Sequence, residues 1–147
     1  MMQSPPVADR EQVVDTMISL TRLSNTHRTL IAGSDSLRLY VSLKRRGFIR
    51  LATPATGKTP HRQHSVALIA GENSPATIEA VLAQVSPFLG DCAAIAILIR
   101  SPEGGLGLKV RAKLQQMGFR IEAGVRCDQG LVLSAYRQGL VHIEQAA

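Results

Sequence analysis

The residues best suited to hold a ligand are Gly33, Ser34 and Asp35, which follow an apolar run at residues 29–32 and precede a helical pattern. An apolar strand that ends in a tight turn and a helix leaves free backbone N–H groups at the helix start. These groups and the positive end of the helix dipole attract an anionic ligand, as at the start of a nucleotide-binding α/β domain. The turn contains one glycine, Gly33. Asp35 and Leu37 occupy the positions where a turn in close contact with a ligand would have two more glycines.

A second set of residues that could bind a ligand is basic. All of the net charge of +6 lies before residue 65, where ten Lys/Arg stand against four Asp/Glu. The residues that could contact RNA or DNA phosphates are Lys44, Arg45, Arg46, Arg50, Lys58 and Arg62. The run from Lys44 to Arg46 equally suits the last turn of a helix, where cations complement the dipole. With no Trp and only 3% aromatic residues, base-stacking platforms are missing, so nucleic acid is not the favoured partner.

Two histidines, His61 and His64, stand three residues apart in a segment rich in Pro, Gly, Thr and basic residues. Histidines at this spacing can ligate a metal ion. A third ligand is not evident nearby, and the neighbouring Lys58 and Arg62 oppose a cation. The sequence therefore favours no metal site, and we expect both histidines to be solvated.

The elements that would position these residues follow from hydrophobic periodicity and turn residues. Helices are predicted at residues 9–23, 36–46, 74–89 and 108–117, and strands at residues 29–32, 48–52, 66–70, 93–99, 120–126 and 131–137. In the second helix, Leu37, Tyr40, Val41 and Leu43 or Lys44 stand at helical spacing, and residues 53–64 form a loop. The order predicts an α/β fold with one Rossmann-like open sheet. This sheet is mostly parallel, with a C-terminal antiparallel hairpin and helices on both faces.

The length of 147 residues suits one domain with its own core. We expect a disordered tail at residues 1–8 and a single domain at residues 9–147. Neither an apolar run of membrane-spanning length nor a secretory leader is visible, which favours a cytoplasmic protein without a membrane partner. The cysteines, Cys92 and Cys127, fall in different elements and are expected to pack as reduced thiols in or near the core.

The chain resembles class I S-adenosylmethionine-dependent methyltransferases over residues 9–137. The resemblance rests on the opening strand and turn, the apolar strands at residues 66–70 and 93–99, and the ending LQQMGFRIEAGVRCDQGLVLSAYR. In that family a helix that ends in Gly-Phe leads into a terminal hairpin whose last strand inserts antiparallel into the sheet. The resemblance implies the Rossmann-like fold, S-adenosylmethionine as cofactor, and a methyltransferase if the chain is an enzyme.

Carried over residue by residue, the resemblance implies a cofactor site at Gly33, Ser34, Asp35, Glu72 and Asn73, with several departures from the family pattern. Ile31 stands where the family has an acidic residue, and Asp35 and Leu37 replace two glycines of its first motif. No acid follows the second strand to hold the ribose, and the third strand is missing.

The resemblance also gives Glu72 a role, because a carboxylate after the fourth family strand could deprotonate a methyl acceptor. Alternatively, Glu72 and Asn73 are only the polar residues before a helix start at Pro75. The sequence thus indicates a reduced methyltransferase-like domain with weak or lost cofactor binding. The alternatives are a non-catalytic partner module, which could form a homo-oligomer, and a basic nucleic-acid-binding protein.

Overall fold

One mixed sheet with helices on both faces forms the fold. The computed structural model describes residues 7–54, 62–71, 74–100 and 105–137, with side chains from residue 11 onward. The helices are α1 (Val7–Thr21), α2 (Ser36–Arg45), α3 (Pro75–Val85) and α4 (Leu106–Gln116). The strands are β1 (Thr29–Ala32), β2 (Leu51–Ala52), β3 (His64–Ile69), β4 (Leu89–Ile99), β5 (Phe119–Cys127) and β6 (Gly130–Arg137).

The strands lie in the order β2-β1-β3-β4-β6-β5. Neighbours among β1 to β4 pair in parallel, β6 pairs antiparallel with β4, and β5 pairs antiparallel with β6. The predicted α/β class and the antiparallel C-terminal hairpin are therefore confirmed. Because the chain leaves β1 toward β2 on one side and reaches β3 on the other, the carboxyl ends of β1 and β3 flank the switch point where ligands bind in open sheets.

Each face of the sheet carries one apolar layer. Successive residues of a strand point to opposite faces, so Val66 and Leu68 pack with α1 and α2, whereas Ala67 and Ile69 pack on the other side. Met17 of α1 is fully buried in the first layer. Ile78 and Leu82 of α3 are equally buried in the second. These layers fix α2 and α3 beside the carboxyl edge of the parallel strands.

Several predicted boundaries shift. Helix α1 begins two residues before the predicted Asp9, and residues 1–6 of the predicted tail lie outside the described residues. Helix α3 ends at Val85, before the predicted residue 89, because Pro87 has no N–H to continue the helical hydrogen bonds. Strand β2 is shorter than predicted because its pairing with β1 begins at Leu51 opposite Thr29, the first residue of β1.

The predicted apolar face of α2 is wrong at Leu37 and Val41. Leu39 and Leu43 are the buried residues of this helix, while Leu37 is 73% exposed and Val41 is 39% exposed. Of the cysteines, Cys127 packs half-buried against the α1–α2 layer as expected, but Cys92 is exposed. Helix α2 thus turns an apolar stripe away from the sheet.

Candidate functional site

The turn after β1 lies against the end of β3. The backbone N–H of Asp35 donates to the carbonyl of Ala70 at 3.1 Å, and the N–H of Ala70 donates to the carbonyl of Ala32 at 3.2 Å. Gly33 has φ +98°, and a Cβ placed on it would lie 2.1 Å from the Ala70 oxygen. The glycine at this position is therefore required by contact between two segments of the chain itself.

The turn after β3 makes the matching contact from the other side. The Ser34 hydroxyl donates to the carbonyl of Gly71 at 2.8 Å. Gly71 has φ +103°, and a Cβ on it would lie 2.3 Å from the Ser34 Oγ and 2.5 Å from the Asp35 nitrogen. The structure thus brings together Gly33, Ser34 and Asp35 from the predicted site with Gly71. The two turns hold each other at the sheet's switch point.

The carboxylate of Asp35 is engaged by an arginine. The Arg100 guanidinium donates to it at 2.7 Å, and the Asp35 side chain makes no hydrogen bond as a cap of α2. Sequence reasoning missed Arg100. The sequence did contain an indication of its role, because Arg100 directly follows an apolar strand of the parallel part of the sheet. The carboxyl ends of parallel strands lie at the same edge of a sheet, so Arg100 is expected near the turn after β1. The ion pair ties the turn after β1 to the end of β4.

A crevice of about 340 Å³ remains beside the turn, toward β2 and α3. Its lining includes Gly33, Ser34, Thr53, Pro54 and Gln84, and none of the described residues that line it is acidic. The residues that follow β2, Thr53 and Pro54, form part of the wall of this crevice, so the carboxylate that the sequence lacks after β2 is missing from this wall. The hydroxyl and amide groups of the lining can donate hydrogen bonds to a ligand. The described lining has no carboxylate that would accept hydrogen bonds from the two hydroxyls of a ribose.

The remaining predicted site residues, Glu72 and Asn73, lie outside the described residues. The helix that follows them is capped by Ser74, whose hydroxyl accepts from the Thr77 N–H at 3.2 Å. Pro75 occupies the first turn, as predicted, where its missing N–H is not needed. The catalytic role of Glu72 stays a prediction.

The predicted basic set separates into different environments. Arg46 donates to the carboxylates of Glu11 and Asp15 on α1, and its hydrogen bond lowers the pKa of Glu11. Arg62 pairs with Asp91, and the Lys44 ammonium lies 5.6 Å from the centre of the Tyr40 ring. Arg45 and Arg50 are exposed, and Lys58 lies outside the described residues. The single phosphate-binding surface formed by this set stays a prediction. Two members of the set, Arg46 and Arg62, already have carboxylate partners.

Contrary to the expectation from sequence, His64 is not solvated. It is the first residue of β3 and is 3% exposed. Its ring bonds to the backbone of Phe88, while Nδ1 has no hydrogen-bond partner among the described residues. Burial lowers the pKa of His64 below its usual value of 6.5, and the charge of Arg28 lowers it further. His61 lies outside the described residues, and those residues contain no cluster of three groups that could hold a metal ion.

The buried histidine predicts a stability that falls in acid. Below about pH 6.5 the unfolded chain binds a proton at His64 that the folded chain does not, so the free energy of unfolding falls by up to about 1.4 kcal/mol per pH unit until the folded pKa is reached. Urea unfolding between about pH 7.5 and pH 5 measures this slope. The slope should shrink in His64→Leu and persist in His27→Gln. An unchanged slope in His64→Leu would place its origin elsewhere.

No helix within the described part of the chain has the length and apolar character needed to cross a bilayer. Neither a protein-family model nor a curated protein matches the sequence.

Solved structures do match the fold. A magnesium protoporphyrin IX methyltransferase from Synechocystis PCC 6803 with bound SAM has a TM-score of 0.64 at 11% identity, over 93% of this chain and 87% of that one. A precorrin-6y C5,15-methyltransferase from Geobacter metallireducens has a TM-score of 0.62 at 12% identity, over 94% of both chains. A SAM-dependent methyltransferase from Aquifex aeolicus has a TM-score of 0.53 at 12% identity, over 87% and 89%.

At such identities the likeness concerns the arrangement of the backbone. It covers nearly the whole of each chain, and it agrees with the strand order and the terminal antiparallel hairpin observed here. The chain therefore has the class I methyltransferase-like Rossmann fold that the sequence predicted.

Proposed function

We propose that this chain is a reduced methyltransferase-like domain that binds S-adenosylmethionine weakly or not at all and acts by binding another molecule. The observation that carries the proposal is the contact between the turns after β1 and β3. At the switch point, the Asp35 N–H and the Ser34 hydroxyl are bonded to Ala70 and Gly71. Donors that are already bonded within the chain in this way are not free to bind a cofactor.

The charges at the turn support the same proposal. The cofactor's own carboxylate would approach Asp35, and repulsion between like charges opposes that approach. Arg100 offsets this charge but is itself engaged by Asp35. At the other end of the crevice, Thr53 and Pro54 supply no carboxylate for the ribose hydroxyls. The crevice thus lacks charged groups that would make cofactor binding tight, although space for part of a ligand remains. A cytoplasmic location belongs to this proposal.

Titration calorimetry with S-adenosylmethionine and S-adenosylhomocysteine tests the proposal. We expect no saturation below about 1 mM, which corresponds to a binding free energy no stronger than about −4 kcal/mol. A methyltransferase that binds the cofactor serves as the positive control. Saturation at micromolar cofactor would overturn the proposal and return attention to Glu72 as a base.

A pair of variants tests whether the missing carboxylate after β2 limits the binding of S-adenosylmethionine. Thr53→Asp places a carboxylate after β2, where the resemblance expects one, and Thr53→Asn adds the same shape without the charge. Because the contact between the turns remains in both, we expect neither variant to reach micromolar binding. Tight binding by Thr53→Asp alone would show that the missing carboxylate, and not the contact between the turns, limits the native chain.

A further inference from the structure

A second cavity lies on the opposite face of the sheet, between α1, α2 and the carboxyl ends of β3 and β4. This α1–α2 groove has a volume of about 360 Å³, within the range of sites for small organic ligands. It shares no lining residue with the crevice beside β2. The groove and the crevice are therefore distinct cavities, and the Asp35–Arg100 pair beside the turn after β1 belongs to the lining of the groove.

The groove is mainly apolar. Val14 and Leu98 contribute from α1 and β4, and Leu37 and Val41 contribute from the stripe of α2 that faces away from the sheet. Leu37 and Val41 are one helical turn apart, so they form a continuous apolar strip beside the opening. Exposed apolar side chains that adjoin a cavity are typical of ligand-binding grooves. The strip would contact the apolar body of a ligand.

The charges of the groove favour an anion. Its two carboxylates are already paired, Glu11 with Arg46 and Asp35 with Arg100. Arg38 and Arg45 also line the groove, are exposed, and have no ion-pair partner among the described residues. They lie seven residues apart on α2, about 10 Å along its axis, on either side of Val41. Two guanidinium groups without an ion-pair partner among the described residues therefore lie along one side of the apolar strip.

We propose that the α1–α2 groove binds a small amphipathic anion, an alkyl or aryl chain that carries one acidic group. The chain packs along Leu37 and Val41, and the acidic group accepts hydrogen bonds from Arg38 or Arg45. A guanidinium donates two parallel N–H bonds to a carboxylate, sulfate or phosphate, so these head groups share the required chemistry. The volume is that of a small-molecule site, which favours such a ligand over a folded partner.

The probe is decanoate, and its binding to the full chain is measured by titration calorimetry and by changes in amide chemical shifts. We expect saturable binding with a Kd of about 1 mM or tighter, as the size of the ligand allows. Acetate lacks the apolar body and decyltrimethylammonium lacks the acidic group, so neither should saturate. No saturation by decanoate, or equal binding of decyltrimethylammonium, would overturn the proposal. Decyl sulfate and decyl phosphate then show which head group binds more tightly.

Variants locate the site. Replacing Arg38 and Arg45 together by Gln should weaken decanoate binding by about tenfold. Replacing the exposed Arg120 and Arg126 by Gln changes the net charge equally, away from the groove, and should leave the Kd within about twofold. If both double variants weakened decanoate binding equally, the net charge of the protein would explain the change, and the proposal would be overturned.

One further substitution tests the apolar strip. Val41→Glu introduces a better helix former at an exposed position but places a carboxylate one helical turn from each of the two arginines, so binding should be lost while the far-UV circular dichroism shows an intact helix. Undiminished decanoate binding by this variant would place the ligand elsewhere and also overturn the proposal.

Discussion

Gly33→Ala is expected to lower the free energy of unfolding by about 3 kcal/mol or more. The new Cβ would lie 2.1 Å from the carbonyl oxygen of Ala70, a residue that directly follows β3 and is held by its own N–H bond to Ala32. The φ of +98° adds strain that glycine does not have. Relief requires the turns after β1 and β3 to separate, which breaks the hydrogen bond from Asp35. Denaturant unfolding monitored by circular dichroism measures the loss.

Gly47→Ala is the matched control. Gly47 follows α2 with φ +94°, close to that of Gly33, but a Cβ there would meet no atom within 4 Å. This variant therefore carries the conformational cost alone, and we expect a loss of about 1 kcal/mol. The difference between the two variants measures the contact between the turns. Similar losses in both would mean that the turn after β1 moves aside freely and that the contact is weak.

Arg137→Met should also destabilise the fold, by about 2 kcal/mol. The guanidinium donates to the carbonyl of Leu89 at 3.0 Å and to the Ser86 hydroxyl at 2.7 Å. It also lies 4.9 Å from the centre of the Phe119 ring. Arg137 thus joins the end of β6 to the turn that connects α3 with β4. Methionine fills similar space but leaves these acceptors without a donor.

Two further variants separate the causes in the same unfolding measurement. Arg137→Lys keeps the positive charge but loses the planar fork, so it should recover only part of the stability. Arg126→Met makes the same change at an exposed site of β5 and should stay within about 0.5 kcal/mol of the native chain. If Arg137→Met were equally mild, water would be satisfying the Leu89 and Ser86 acceptors.

Helix α2 illustrates what the sequence could and could not predict. The sequence located it within one residue, because Gly33 and Gly47 delimit it and cations occupy its last turn. The helix has two apolar stripes, and the predicted face combined residues from both. Leu37 and Val41 form one and Leu39 and Leu43 form the other, with centres about 200° apart around the axis. Only the packing against β1 and β3 decides between them.

The candidate site divides in a similar way. Gly33, Ser34 and Asp35 were located because a strand, a turn and a helix follow each other locally in the sequence. Their contacts with Ala70 and Gly71 join segments far apart in the chain, so they depend on which strands become neighbours. A glycine directly after each of two apolar strands was the available signal for this contact. The ion pair with Arg100 likewise depends on strand order.

The two outer strands limit how this sheet can meet another molecule. Strand β2 pairs over only two residues, and β5 carries an irregularity between Ile121 and Ala123 and charged side chains along its length. A short outer strand and an irregular, charged one offer few aligned backbone groups to an added strand. Extension of the sheet from one molecule to the next is therefore disfavoured, which protects the folded chain from fibrillar association. Partners would instead be selected by side chains on the helical faces.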